Sequence, residues 1–360
     1  MIDVVCHYYE DFKAPLLRQF LIPLARSFPG SVHLDRHWLR GPHVLLRFHG
    51  PGDHARAAEE AADACRRHLA AFPSTAVVDP AELVRQAELA GRAELVPGPY
   101  APLHPDNSVL VRPADLAPLI DLLGSRAAVL ERCELLALGL GAVERSLELA
   151  GDPGSRVTLA LVAITAHAAG YPTGLGAGYQ SFLSHVADHL AYEDPDGSLE
   201  AAFKRQWAER GAGVTELVRT VAEGGVLPGR LEGVAAAWRA WSRDASAHAD
   251  AALDTAALVG DRNGHAAVAA RFGGDTEIRW DFTRRHYSEY HQLLNRSGFE
   301  KVALSKPFGL YRFGTNVLYR LLALCDLRPV ERYLAAYLFS EAVERITGRT
   351  WRERLGGVPA

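Results

Sequence analysis

Cysteine is scarce in this 360-residue chain: Cys6, Cys65, Cys133 and Cys325 are scattered, with no C-x-x-C or C-x-x-H spacing. That excludes a disulfide framework or a structural zinc site as the source of stability. Long apolar runs are missing too, since the longest, Val157 to Ala169, falls well short of the roughly 20 residues that span a bilayer. The start, Met1-Ile2-Asp3, lacks the basic and apolar regions of a secretory signal. These absences point to a protein of the reducing cytoplasm with no membrane partner. Positive charge is not in excess, because 39 Lys and Arg stand against 43 Asp and Glu. A nucleic-acid partner recognised through a global positive field is thereby excluded.

Cofactor signatures are equally sparse. Gly174-x-Gly176-x-Gly178 follows a helical stretch instead of a strand and lacks the third spacing of a dinucleotide fingerprint. No P-loop, Gly-x-Ser-x-Gly elbow, EF-hand loop, kinase set or His-Glu-x-x-His is present. His185 and His189 are four residues apart and could face one metal, but no third ligand accompanies them. A hydrogen-bonded structural pair accounts for them more simply. The sequence therefore leads us to expect no metal and no cofactor.

What is present is ample apolar material, 48% of residues, enough for one large domain or two intimate ones. Val4 to Tyr9 reads as a strand, and Asp11 is placed to cap a helix carrying Leu17, Phe20, Leu21, Leu24 and Phe28, bent at Pro23. His33 to Leu39 and His43 to His49 form an antiparallel pair across Gly41-Pro42, with Leu46 and Phe48 inward. A helix over 55–69 and a strand at Ser108 to Val111 complete an order resembling a ferredoxin-like half. Between them, Val96 to Asn107 carries four prolines and must be a loop.

Helical patterning then dominates: 114–149, broken near Gly124, then 155–169, 179–191, 199–224, 231–258 and 281–296. A last helix starts at Pro329, spaces Leu334, Leu338, Ala342 and Ile346 by four, and stops at Gly348. The expected fold is α+β: a small N-terminal sheet region, 1–112, continuous with a mainly helical region, 113–360. One stretch stands out for charge, Arg279 to Arg320, with eight Lys and Arg against three acids. It is either a cationic binding surface or a solvated face.

The segment Arg36-His37-Trp38-Leu39-Arg40-Gly41-Pro42-His43-Val44-Leu45-Leu46-Arg47-Phe48 resembles a hairpin near the start of the elimination domain of lanthipeptide dehydratases. The same hairpin belongs to their stand-alone relatives in thiopeptide pathways. Two further stretches resemble that family in the same order: Gly178-Tyr179-Gln180-Ser181-Phe182-Leu183-Ser184-His185, and His291-Gln292-Leu293-Leu294-Asn295-Arg296. One departure is that Val44 and Leu45 stand where the pattern has Leu-Arg, removing one hairpin arginine and weighing against glutamate elimination.

The resemblance implies a cofactor-free, lyase-like enzyme acting on a ribosomally made precursor peptide, in contact with other pathway enzymes. Two activities follow from it. In a pyridine synthase, two dehydroalanines combine in a formal [4+2] aza-cycloaddition, and water and the leader peptide are then lost. In a split lyase, glutamate is removed from glutamylated Ser or Thr, a step this chain is not expected to precede with glutamylation of its own. We favour the first, because the helices around 199–260 exceed a bare elimination domain. A non-catalytic peptide-binding module is the third reading. The resemblance implies Tyr179, Ser181, His185 and His291 for proton transfers, and Arg36 and Arg47 for polarising carbonyls. Asn295 and Arg296 enter from the last motif as substrate-binding residues, and Arg284 and Arg285 from the basic stretch as contacts to an acidic leader.

Overall fold

A computed structural model describes residues 1–28, 30–259 and 261–356. In chain order its elements are β1 (Ile2–His7), α1 (Ala14–Leu16), a π turn (Leu17–Leu21), α2 (Ile22–Ser27), β2 (Ser31–His37), β3 (His43–His49), α3 (His54–Ala71), α4 (Pro80–Glu94) and β4 (Val109–Pro113). Helices follow: α5 (Ala117–Leu123), α6 (Arg126–Leu138), α7 (Leu140–Leu147), α8 (Pro153–Ala169), α9 (Leu175–Glu193), α10 (Ser198–Glu223), α11 (Arg230–Ala252) and α12 (Thr255–Val259). The chain ends with α13 (Asp261–Ala269), α14 (Gly274–Trp280), α15 (Glu289–Arg296), α16 (Glu300–Ala303), α17 (Lys306–Leu324), α18 (Pro329–Thr347) and α19 (Trp351–Arg354). The fold is α+β, as expected. No helix among the described residues is long and apolar enough to cross a membrane.

Two compact units form. The first joins Met1–Glu144 to Ala252–Arg285 and Ala323–Asp326; the second joins Arg145–Ala251, His286–Leu322 and the stretch from Leu327 onward. The change from sheet-bearing to helical chain falls at the end of β4, while the compact units draw on separated stretches because α13 returns to pack on α5.

In the first unit the sheet runs β2-β3-β1-β4, antiparallel throughout, which is the ferredoxin-like order. Cross-strand register sorts its residues by face. Leu34, Leu46, Val4 and Val111 lie in one row, and that face is apolar. Helix α3 covers it with Ala58, Ala61, Ala62, Cys65 and Leu69. Rows one residue away, such as His33, Arg47, Asp3 and Arg112, make the opposite face polar, and α6 packs against its edge. Most of those polar side chains are nevertheless buried, including Asp3, His7, His33, His43, Arg47 and His49.

Buried charge requires partners, and each is found on a neighbouring strand or helix. Arg47 donates through Nε and Nη2 to the two oxygens of Asp3, at 2.6 and 2.8 Å. Arg132 of α6 reaches Asp35, and Glu134 takes Ser31 and His49. Asp326 closes the other end: it accepts from Arg36 at 2.6 Å and from the backbone N–H groups of Lys13 and Ala14.

The start of α1 corrects the expectation at Asp11. Lys13 is the N-cap, and the carboxylate of Asp326, distant in sequence, does the capping that a local side chain was expected to do. The bend expected at Pro23 takes the form of the π turn just before it, which relieves the missing N–H and the ring's clash with the preceding turn. The expected helix over 281–296 is also shorter. Asp281 accepts from the Thr283 backbone and hydroxyl and closes a turn, so the helix begins only after the Ser288 N-cap. Helices α4, α13, α14 and α17 carry patterns not singled out in the sequence.

In the second unit α8 is the central element, buried almost without a break from Val157 to Ala168, and α9, α10 and α18 pack against it. Arg156 at its start makes a buried bidentate pair with Glu331 of α18, at 3.0 and 2.7 Å.

Two outcomes follow for stability. Replacing Asp3 with Asn strands the buried Arg47 charge and should cost about 3–5 kcal/mol in urea unfolding; an unchanged midpoint would contradict the pairing. Burial also lowers the pKa of His7 and of His43 to about 3, from the ordinary 6.5. The unfolded chain therefore binds more protons between those values, and stability should fall as pH drops from 6.5 toward 3. Urea midpoints compared near pH 7.5 and pH 5 check this, with His7→Gln reducing the difference.

Candidate active site

The candidate site is built in the second unit on α9, and its position is set by one glycine. A Cβ at Gly178 would overlap the carbonyl oxygen of Ala168 in α8, so only glycine lets the two helices approach this closely. Tyr311 of α17 fastens the contact by donating to the Gly178 carbonyl at 2.8 Å. Its ring stacks on His167 of α8, with centroids 4.7 Å apart and planes 7° from parallel. His167 contacts Ser242 at 2.9 Å and Thr315 at 3.1 Å, and burial lowers its pKa to about 4. A neutral imidazole thus ties α8, α11 and α17 together.

Two turns beyond Gly178, α9 presents Ser184 and His185. The Ser184 hydroxyl lies 2.9 Å from Nε2 of His291 on α15, while Nδ1 of that ring lies 2.8 Å from the hydroxyl of Ser288. Both ring nitrogens are therefore engaged, and Ser288 also caps the helix that carries His291. His185 places Nδ1 3.1 Å from the Tyr319 hydroxyl of α17. Burial lowers the His185 pKa to about 4, followed by the Arg332 cation, against Asp188, which raises it; His291 and Arg312 also lower it. Arg332 of α18 lies over Tyr319 at 4.7 Å and over Tyr333 at 4.8 Å from the ring centroids. His189 stacks on Tyr333 at 3.7 Å, so His185 and His189 have different neighbours.

Below this layer Tyr179 is fully enclosed. Its hydroxyl lies 3.5 Å from Glu344 of α18, and Arg354 sits over its ring at 5.6 Å. Burial raises the pKa of both Tyr179 and Glu344, so the carboxyl can hold a proton closer to neutrality than an ordinary one. Tyr290, next to His291, is buried and directs its hydroxyl to Gln180. The arrangement offers a neutral imidazole, His185, a second imidazole, His291, held between two hydroxyls, a guanidinium on an aromatic bed and a carboxyl whose pKa burial raises. Such a set moves protons and polarises carbonyls.

Among the residues singled out in the sequence, Tyr179, Ser181, His185 and His291 belong to this unit. Tyr179 is too enclosed to meet a substrate directly, and Ser181 is half-buried on α9. Asn295 and Arg296 are exposed at the end of α15. Arg36 and Arg47 belong to the first unit, where each faces a carboxylate, Asp326 and Asp3. The sequence pattern offered two cationic forks for carbonyls; the register instead sets Arg47 directly opposite Asp3.

The basic stretch is divided between the units at Arg285 and His286. Arg284 is exposed and pairs with Glu277 and Asp281, Arg285 lies over Phe282, and Lys306 pairs with Asp250. Counting charge along 279–320 missed Glu277 and Asp250, which lie outside that window.

Ser184, Ser288, Tyr319, Arg332 and Glu344 were not singled out. Ser184 sits inside the quoted α9 motif, and Ser288 stands three residues before His291, the spacing of an N-cap; these signals could have found them. Among the described residues no three His, Cys, Asp or Glu side chains come together as a metal site.

No family model and no curated protein sequence matches the chain. Solved structures do. A pyridine synthase, TbtD, from thiomuracin biosynthesis aligns over 96% of this chain and 98% of its own, at 23% identity and a TM-score of 0.65. TsrL aligns over 100% of this chain and 99% of its own, at 16% identity and a TM-score of 0.60. The chain thus shares the fold of a pyridine synthase over nearly its whole length.

The site geometry makes one direct prediction. In a proton-detected imidazole titration, His185 should titrate near pH 4 and stay neutral across the physiological range. A midpoint at the ordinary 6.5 would mean that its surroundings are open to solvent.

Proposed function

We propose that the chain is a thiopeptide pyridine synthase. In this reading it joins two dehydroalanines of a ribosomal precursor peptide in a formal [4+2] aza-cycloaddition, and the adduct then loses water and the leader peptide as a carboxamide. The observation that carries the reading is the end-to-end match in fold to a pyridine synthase. The proton-handling cluster of the helical unit suits the same chemistry.

Bringing two alkenes of a flexible peptide together is mainly an entropic problem, and positioned binding can supply about 7–11 kcal/mol of the barrier. Proton movements complete the reaction. An amide must pass to its iminol form by moving a proton from nitrogen to oxygen. The hydroxyl leaving as water needs a proton, and so does the departing leader amide. His291 is held between two hydroxyls, so a proton can pass through the ring to Ser184 without the imidazole rotating. His185, neutral above about pH 4, serves as a second acceptor. Glu344, its pKa raised by burial, lies behind Tyr179 as a further carboxyl that can exchange a proton. The partner is therefore a precursor peptide with a dehydrated core.

The test is single turnover with a fully dehydrated, azole-containing precursor, followed by mass spectrometry. The expected products are a macrocycle and a released leader carboxamide. Dehydroalanine gained from a glutamylated peptide, with no ring formed, would instead assign a glutamate-eliminating lyase. Binding alone would assign a carrier. In the first case, His291→Asn should slow turnover by about 10²–10⁴-fold, the usual worth of a positioned acid–base, and leave the melting temperature nearly unchanged.

A further inference from the structure

Arg332 differs from the enclosed arginines that are held by carboxylates. Arg36, Arg47, Arg132 and Arg156 each face a carboxylate: Asp326, Asp3, Asp35 and Glu331 respectively. Among the described residues Arg332 has no such partner. Its guanidinium lies between the rings of Tyr319 and Tyr333, and its Nε is buried without a hydrogen bond. Its two Nη atoms are not enclosed in this way, so a half-buried cation keeps its forked donor edge open.

The surroundings fix what that edge can bind. Tyr319 and Tyr333 present ring faces, which hold a guanidinium flat and leave its in-plane N–H groups pointing away from them. His185 lies alongside, with its ring centroid 5.2 Å from that of Tyr319 and Nδ1 turned to the Tyr319 hydroxyl, so its Nε2 edge is unspent. A planar fork beside a neutral imidazole matches a planar oxygen acceptor.

We infer that Arg332, with the Nε2 edge of His185, forms a binding site for an amide carbonyl oxygen of the peptide substrate. This rests on the proposed reaction: the amide that becomes an iminol gathers negative charge on that oxygen, and Arg332 is fixed in advance where the charge develops. The site takes over the carbonyl-polarising role that the sequence suggested for Arg36 and Arg47. Charged or titratable groups acting on His185 come from each element around it: Asp188 on α9, His291 on α15, Arg312 and Tyr319 on α17, and Arg332 itself on α18.

The test uses the full-length protein with Arg332→Gln and Arg332→Lys. Single-turnover rate should fall about 10²–10³-fold in R332Q, as for loss of one oxyanion donor, and R332K should lie between R332Q and wild type. Peptide affinity should change far less than rate, and melting should hold, since no ion pair is broken. Removing the cation should also raise the His185 pKa in R332Q but not in R332K. A second arm does not depend on the reaction: adding the dehydrated precursor peptide should move the His185 imidazole resonances in wild type and scarcely in R332Q. Wild-type rate in R332Q, or melting that falls in step with rate, would overturn the inference. So would His185 resonances that ignore the peptide in wild type. Should wild type close no ring at all, the proposed reaction fails, and the peptide titration still decides the site.

Discussion

The contact between α8 and α9 at Gly178 is the constraint from which the helical unit takes its shape. Any side chain there would meet the Ala168 carbonyl, and the separation of the two helices would have to grow. With glycine in place, Tyr311 can reach the Gly178 carbonyl and stack on His167 in one motion, so α17 is fixed by the same point. Ser184 and His185 then follow two turns along α9, opposite His291 and Tyr319. The spacing of these hydroxyl and imidazole groups is thus inherited from backbone packing, with the side chains of α11 and α17 closing around a neutral His167.

The first unit solves a different problem. Its sheet is apolar on one face and polar on the other, yet both are buried, so the polar face is held by pairs that cannot be broken singly. Asp3 with Arg47 spans β1 and β3 and Asp35 with Arg132 joins β2 to α6, while at the end of the other face Asp326 gathers Arg36 with the start of α1. On the polar face His7, His33, His43 and His49 are kept neutral chiefly by burial. Specific register and acid sensitivity are two consequences of the same arrangement.

Much of the sheet was legible because period-two alternation and the Gly41-Pro42 turn act locally. The terminal helix from Pro329 was legible for the same reason: a proline start and a glycine stop. What was hidden depends on distant partners. Nothing near residue 13 announces that Asp326 caps α1, and Arg47 reads as a free fork until β1 is laid beside β3. Pro307, Gly309 and Gly314 obscured α17, although Gly314 lies against His167, where a side chain would crowd the ring. The motifs around His185 and His291 were visible, and Ser288 stood at N-cap spacing before His291, whereas Tyr319 and Arg332 lay on segments with no pattern beyond amphipathic helix.

In the proposed reaction the helical unit orients a dehydrated peptide, His291 and His185 move its protons, and Arg332 holds an amide carbonyl oxygen. The most direct measurement follows carbon atoms instead of mass. A precursor carrying ¹³C at the two reacting dehydroalanines is incubated with the protein and watched by NMR. The proposed ring closure predicts that the alkene resonances disappear as aromatic pyridine carbons and a free leader carboxamide grow in together. Alkene signals that persist while the peptide is bound, or that first arise from a glutamyl ester, would contradict it.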